Sequence, residues 1–106
     1  MMVTTTETIA GKRIVETFGF VQGSSIRARH IGHDILASFK TITGGEILDY
    51  TKLMAEAREQ SLDRMREQAV ARGANAIVCM RFVTTEVMQG AAELLAYGTA
   101  VRVEDE

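Results

Sequence analysis

The sequence contains no proline and no tryptophan, and it has one cysteine, Cys79, among its 106 residues. A single thiol excludes a disulfide framework within the chain and suits a reducing compartment, so we expect a cytoplasmic protein. The net charge of −2 provides no basic surface for nucleic acid. No apolar run approaches the ~20 residues of a membrane helix. The first ten residues lack the basic and apolar regions of a secretory signal.

What remains is the composition of an ordinary folded chain, with 46% hydrophobic and 25% charged residues. The length corresponds to a single domain that spans residues 1–106. Because proline is absent, the turns must be formed by the nine glycines and by polar residues.

Alternation of apolar residues predicts the strands of a sheet. Residues 13–22 form one strand that ends at Gly23-Ser24-Ser25, and residues 2–6 form a short strand before it. Residues 76–87 and 92–103 form two further strands, joined by a turn as an antiparallel hairpin.

Apolar residues at helical spacing predict two helices between these strands. The first covers residues 29–43 and is ended by Gly44-Gly45. The second runs from about Asp49 to Arg72, where Gly73 is a strong stop signal. A narrow stripe of apolar and small residues follows one face of this second helix, namely Tyr50, Leu53, Met54, Ala57, Ser61, Met65 and Ala69. The order predicts a two-layer α+β domain, a small antiparallel sheet with two helices on one face.

The predicted sheet has more apolar surface than two helices on one side can cover. In the strand 76–87 we place Val78, Met80 and Phe82 under the long helix. The alternate residues are Ile77, Cys79, Arg81, Val83, Thr85 and Val87. An uncovered apolar face of this extent marks an interface, so we predict a homo-oligomer whose sheets face one another. The alternative is that loops or the N-terminal segment cover this face.

Cys79 is the residue for which the sequence allows two different roles, metal binding and packing. It lies on the predicted interface face, and Arg81 follows about 6.6 Å further along the strand, where its charge would favour the thiolate. One cysteine cannot hold a soft metal ion well, but a ring of symmetry-related cysteines could. The alternative is that Cys79 packs as a small hydrophobe.

The other chemical signals are weaker. His30 and His33 stand three residues apart near a helix start, with Asp34 beside them, and could share a metal ion. No third ligand is close in the sequence, and two solvated histidines are the alternative. The sequence has no GxSxG motif, P-loop, GxGxxG motif or CxxC motif, so we predict that the protein is not an enzyme.

Several segments taken together resemble the YbjQ-like family of small bacterial and archaeal proteins, which carries a heavy-metal-binding label. The matching segments are GFVQG at 19–23, ILASFKTITGGE at 35–46, Tyr50, Ala57-Arg58, ARGANAIV at 71–78 and GTAVRV at 98–103. The resemblance implies a dodecin-like fold assembled into a homopentameric ring, in which extra short strands join neighbouring subunits.

Three functional hypotheses follow. The first is a binding module, a ring that binds a soft metal ion through repeated Cys79 side chains. The second is a structural or interaction scaffold in which Cys79 only packs. The third, small-ligand binding between subunits, needs aromatic platforms, for which Phe18, Phe20 and Tyr97 are the candidates.

Overall fold

The computed structural model describes residues 1–28 and 44–106. The described part of the chain forms a four-stranded sheet and one helix, which confirms the α+β class. The helix predicted over residues 29–43 lies outside the described residues. The elements are β1 (Met2–Val3), β2 (Lys12–Ala28), α1 (Gly44–Ala71), β3 (Ala76–Met88) and β4 (Ala91–Asp105). None of the described helical residues forms a segment long and apolar enough to cross a membrane.

The strands are ordered β1-β3-β4-β2. The predicted β3–β4 hairpin is confirmed, and β4 also pairs antiparallel with β2. β1 runs parallel to β3, with Met2 opposite Ala76, so the sheet is mixed rather than purely antiparallel as predicted. The reason is positional: β4 occupies the inner edge of β3, and the N-terminal segment adds to the outer edge in the same direction as β3.

The second strand is longer than predicted, because β2 continues through Gly23-Ser24-Ser25 to Ala28. Gly23 and Ser25 are buried under α1 rather than forming a turn. A Cβ atom on Gly23 would overlap the Ser61 carbonyl oxygen and the Met65 nitrogen. The small residues at this point therefore make room for the helix.

The helix begins at Gly44, earlier than the predicted Asp49. The pair Gly44-Gly45 opens α1. Glycine is tolerated at the start of a helix, where the first N–H groups have no partner within the helix. The predicted end is confirmed: Gly73 adopts a φ of 90°, and its N–H donates to the Val70 carbonyl at 2.9 Å. The helix spans 28 residues, or about 42 Å.

The predicted buried stripe of α1 is confirmed at Ala57, Ser61, Met65 and Ala69, each of which is at most 1% exposed. These residues pack mainly against β2 and β4. Two buried hydroxyls join the layers: Ser25 Oγ donates to the Ala57 carbonyl, and Ser61 Oγ lies within hydrogen-bond distance of the Leu94 carbonyl, both at 2.8 Å.

A β-bulge in β3 changes which residues face the helix. The register with β4 shifts between Val78 and Arg81. Ile77 therefore packs in the helix-side core with Met65, and Met80 joins that core after the bulge. Val78 packs on the opposite face, against Val101. The prediction for Met80 is confirmed, and those for Val78 and Ile77 are wrong, because an extra residue reverses the alternation along a strand.

The confirmed stripe gives a prediction about stability. Replacing Ala57 with leucine should overpack the contact between α1 and the sheet and reduce the free energy of unfolding by about 1–3 kcal/mol. Arg66, on the outer side of the helix, serves as the control, and Arg66→Ala should cost less than about 0.5 kcal/mol. Urea denaturation of both variants measures the difference. Equal losses would show that the two positions do not differ in packing.

Candidate functional site

Cys79 occupies the β-bulge in a strained conformation. Its φ of 58° lies in the left-handed region that non-glycine residues seldom adopt. Its N–H donates to the Thr6 carbonyl at 3.0 Å. The half-buried thiol packs against the cluster that contains Val78 and Val101, on the sheet face opposite the helix.

The N-terminal segment holds this bulge in place. The Thr4 N–H donates to the Ile77 carbonyl, and the Met80 N–H donates to the Thr4 carbonyl, both at 2.9 Å. The segment is itself organised by side chains, because the hydroxyls of Thr4 and Thr6 share a hydrogen bond of 2.8 Å. This role of the N-terminal segment was not predicted from the sequence. The run of three threonines was the available signal, since threonine hydroxyls readily bond to nearby backbone groups.

We expected the charge of Arg81 to favour the Cys79 thiolate, but the Arg81 guanidinium bonds to two backbone carbonyls. One guanidinium nitrogen, Nη1, donates to the Thr5 carbonyl at 2.9 Å and to the Met80 carbonyl at 2.8 Å. The guanidinium therefore fastens the N-terminal segment to β3.

No complete metal site forms within the described part of one chain. Among residues 1–28 and 44–106, no group of three or more histidine, cysteine, aspartate or glutamate side chains could hold an ion. The alternative candidates His30 and His33, with Asp34, lie outside the described residues. Cys79 is thus the described candidate ligand, and no other residue of the described ranges completes a site with it.

The face opposite the helix is covered at one end and open at the other. Ile9 of the N-terminal segment packs against the Val78 and Val101 cluster, so the alternative that this segment covers the face holds for that end. The remainder we call the open face, and its apolar residues are Phe20, Ile26, Val83, Leu95 and Tyr97, assigned from the strand register. Phe20 is 55% exposed, Ile26 59% and Val83 43%.

The aromatic residues proposed as stacking platforms are not all together. Phe18 packs against the helix-side core. Phe20 and Tyr97 do meet, with ring centroids 6.1 Å apart and an angle of 31° between the planes. This pair forms part of the open face rather than a separate pocket.

A cleft of about 490 Å³ lies at the covered end, lined in part by Lys12, Asn75 and Asp105. Its polar groups are already paired: the Asn75 amide bonds to the backbone of Val103 in both directions, at 3.0 and 2.8 Å. The hydrogen bond from Lys12, together with its charge, lowers the pKa of Asp105. This pair contributes stability above the ordinary aspartate pKa and loses it as the pH falls through the lowered value. The cleft therefore presents no unpaired ligand group that would mark a binding site.

Comparison with known proteins identifies relatives over nearly the whole chain. A family model of the YbjQ type, described as "Putative heavy-metal-binding", matches residues 1–104. A UPF0145 protein of Dehalococcoides mccartyi (strain BAV1) is 54% identical over 104 residues, covering 98% of this chain and 100% of its own. A UPF0145 protein of Clostridioides difficile (strain 630) is 52% identical over 106 residues, covering 100% of this chain and 95% of its own.

A solved structure supports the fold. The crystal structure of a protein of unknown function from Pediococcus pentosaceus, assigned to the DUF74 family, matches with a TM-score of 0.58. The match covers 98% of each chain at 19% sequence identity. At this identity, the likeness shows a shared fold alone.

Proposed function

The chain belongs to the YbjQ family, and on that premise we propose that it is the subunit of a homo-oligomer that binds a soft metal ion through Cys79 thiols contributed by several subunits. The observation that carries the proposal is the open face, a large apolar surface on the same side of the sheet as Cys79. The pentameric number and the dodecin-like ring are taken from the family resemblance.

The shape of the chain supports assembly. Its principal extents are 56 × 22 × 15 Å and its radius of gyration is 17.4 Å, against about 13 Å for a compact domain of this length. The extended sheet leaves Phe20, Ile26 and Val83 in contact with water. Exposed apolar patches rarely persist on monomers, and a second copy of the chain would cover this one.

A metal site made of Cys79 thiols must be shared between subunits, because each chain supplies a single thiol. Thiolate ligands select soft ions such as Cu(I) or Zn²⁺ over Mg²⁺ or Ca²⁺. Binding should saturate below one ion per chain, since several subunits contribute to each site. It should weaken as the pH falls, because each thiol must lose its proton to bind.

The test is a titration of the native protein, Cys79→Ser and Cys79→Gly with Zn²⁺ and with Cu(I), followed by calorimetry and by sedimentation. Both variants remove the thiol, and glycine also suits the φ of 58° at this position. We expect uptake by the native protein only, with the oligomer intact in all three. Equal uptake by all three would exclude Cys79 and make His30 and His33 the next candidates.

A scaffold without a ligand is the second candidate function. It is favoured by the packing of the Cys79 side chain against the Val78 and Val101 cluster, which already gives the residue a structural role. This alternative predicts an intact oligomer, slow reaction of the native thiol with a thiol reagent and no stoichiometric metal uptake.

Both candidates are binding or assembly functions, and we propose no catalytic activity for the chain. The partner is a second copy of the chain, with no role for nucleic acid or a membrane. A single unpaired thiol suits a reducing compartment, so we propose the cytoplasm.

A further inference from the structure

Between Phe20 and Ser24, the outer edge of β2 is bonded to side chains of α1 and of Arg72, the residue that follows it. Arg72 Nη1 donates to the Phe20 carbonyl at 2.6 Å, and Arg64 Nη1 donates to the Ser24 carbonyl at 2.5 Å. Between them, the Gln22 N–H donates to Gln68 Oε1 at 2.7 Å. These three backbone groups would otherwise be available to an added strand.

The geometry of α1 makes this row possible. The helix lies directly over β2 at Gly23, where its backbone touches the strand. Arg64, Gln68 and Arg72 are spaced four residues apart and therefore lie along one side of the helix. From that side, their long side chains reach the edge of the sheet. Arg64 stands among charged residues of the helix, a pattern that usually indicates a solvated face, whereas in the structure it bonds to the strand.

Along β3, the described residues leave the opposite edge of the sheet unpaired beyond Arg81. β1 covers only the start of this strand, opposite Ala76 and Ile77, and bonds from the N-terminal segment continue as far as Arg81. The register with β4 directs the backbone groups of Phe82, Thr84 and Glu86 outward. No residue in the described ranges bonds to those groups.

We propose that the row Arg64–Gln68–Arg72 closes the β2 edge to strand pairing between Phe20 and Ser24 and so directs pairing between copies to the β3 edge, from Phe82 to Glu86. An uncovered edge strand is a template for pairing with another chain, and covering it with side chains prevents this. An edge closed at the middle of β2, opposite an open edge at β3, favours assemblies of defined size over sheets that grow from both sides. The inference rests on the proposed assembly for the identity of the partner, a second copy.

The first test compares Arg64→Ala/Arg72→Ala with Arg58→Ala/Arg66→Ala. Both double variants lose two arginines from the same helix, but only the first removes bonds to β2. At equal concentration, we expect the first variant to form larger, open-ended species at least about tenfold faster by light scattering. The control should match the native protein. Equal aggregation rates and equal sedimentation profiles of the two variants, with the fold intact by circular dichroism, would overturn the proposal.

The second test does not depend on aggregation. In Gln68→Ala, the Gln22 amide should exchange its hydrogen at least about tenfold faster than in the native protein. The amides of Val21 and Gly23, which face β4 in the ladder, should keep their native rates. Unchanged protection of Gln22 would overturn edge closure even if the double variant failed to fold.

The two proposals can fail separately. A native protein that sediments as a monomer would contradict the proposed homo-oligomer. Edge closure would still be tested by the two double variants. In that case, Arg64→Ala/Arg72→Ala would associate, whereas the native chain would not.

Discussion

Gly23→Ala is expected to reduce the free energy of unfolding by about 3 kcal/mol or more, at the upper end of overpacking effects. The added Cβ atom would overlap backbone atoms of Ser61 and Met65 and would lie 2.8 Å from the Arg64 Cβ atom. The backbone atoms of a helix cannot move away individually, as the end of a flexible side chain can. The whole of α1 would therefore have to move away from β2. Urea denaturation measures the loss.

Gly11→Ala is the matched control for this experiment. Gly11 has a φ of 78°, and a Cβ atom there would have nothing within 4 Å. The control therefore carries backbone strain without overlap and should cost about 1–2 kcal/mol. A loss at Gly23 no greater than that at Gly11 would contradict the close seating of α1 on β2.

Val83→Lys is expected to shift the assembly toward monomers or aggregates. Val83 belongs to the open face, and burying an unpaired lysine at an interface would cost several kcal/mol. This corresponds to a rise of at least about a hundredfold in the dissociation constant. Sedimentation at micromolar concentration measures the change. A native mass near 11.6 kDa under those conditions would contradict the assembly itself.

Val70→Lys serves as the control, since it makes the same chemical change on the outer side of α1. Val70 is 61% exposed and lies away from the open face. We expect it to leave the sedimentation profile unchanged. If both lysine variants dissociated the oligomer equally, added positive charge rather than the open face would explain the result.

The features that could be predicted from the sequence are those that depend on neighbours along the chain. The buried stripe at Ala57, Ser61, Met65 and Ala69 follows from helical periodicity alone. The end of α1 follows from Gly73, because a left-handed residue terminates a helix wherever it is placed. The β3–β4 hairpin likewise follows from two strands with a short turn between them.

The features that were missed depend on residues far apart in the sequence. The bulge at Cys79 is held by Thr4 and Thr6, and counting alternate positions within β3 cannot detect an inserted residue. Gly23 and Ser25 read as a strand end because small residues are common in turns. Their small size is instead required by a helix that packs on them, and this becomes visible only once the layers are together.

For the candidate site, the sequence placed Cys79 on the correct face of the sheet but did not predict what surrounds it. Cys79 does lie on the face opposite the helix, yet Arg81 is bonded to the Thr5 carbonyl. The proposed ligands from other copies could not be predicted, because residues of another copy leave no mark in the spacing of one chain.

The period of α1 has a consequence for how this chain tolerates changes in length. Two rows with a spacing of four residues run side by side along the helix, one from Ala57 to Ala69 in the core and one from Arg64 to Arg72 at the sheet edge. Inserting one residue after Ala57 would rotate everything beyond it by about 100°. Met65 would leave the core, and Arg64 would leave the β2 edge in the same step. An insertion or deletion between Ala57 and Arg72 would therefore disturb both rows together, whereas a substitution at an outward-facing position of the helix would leave the spacing of both rows unchanged.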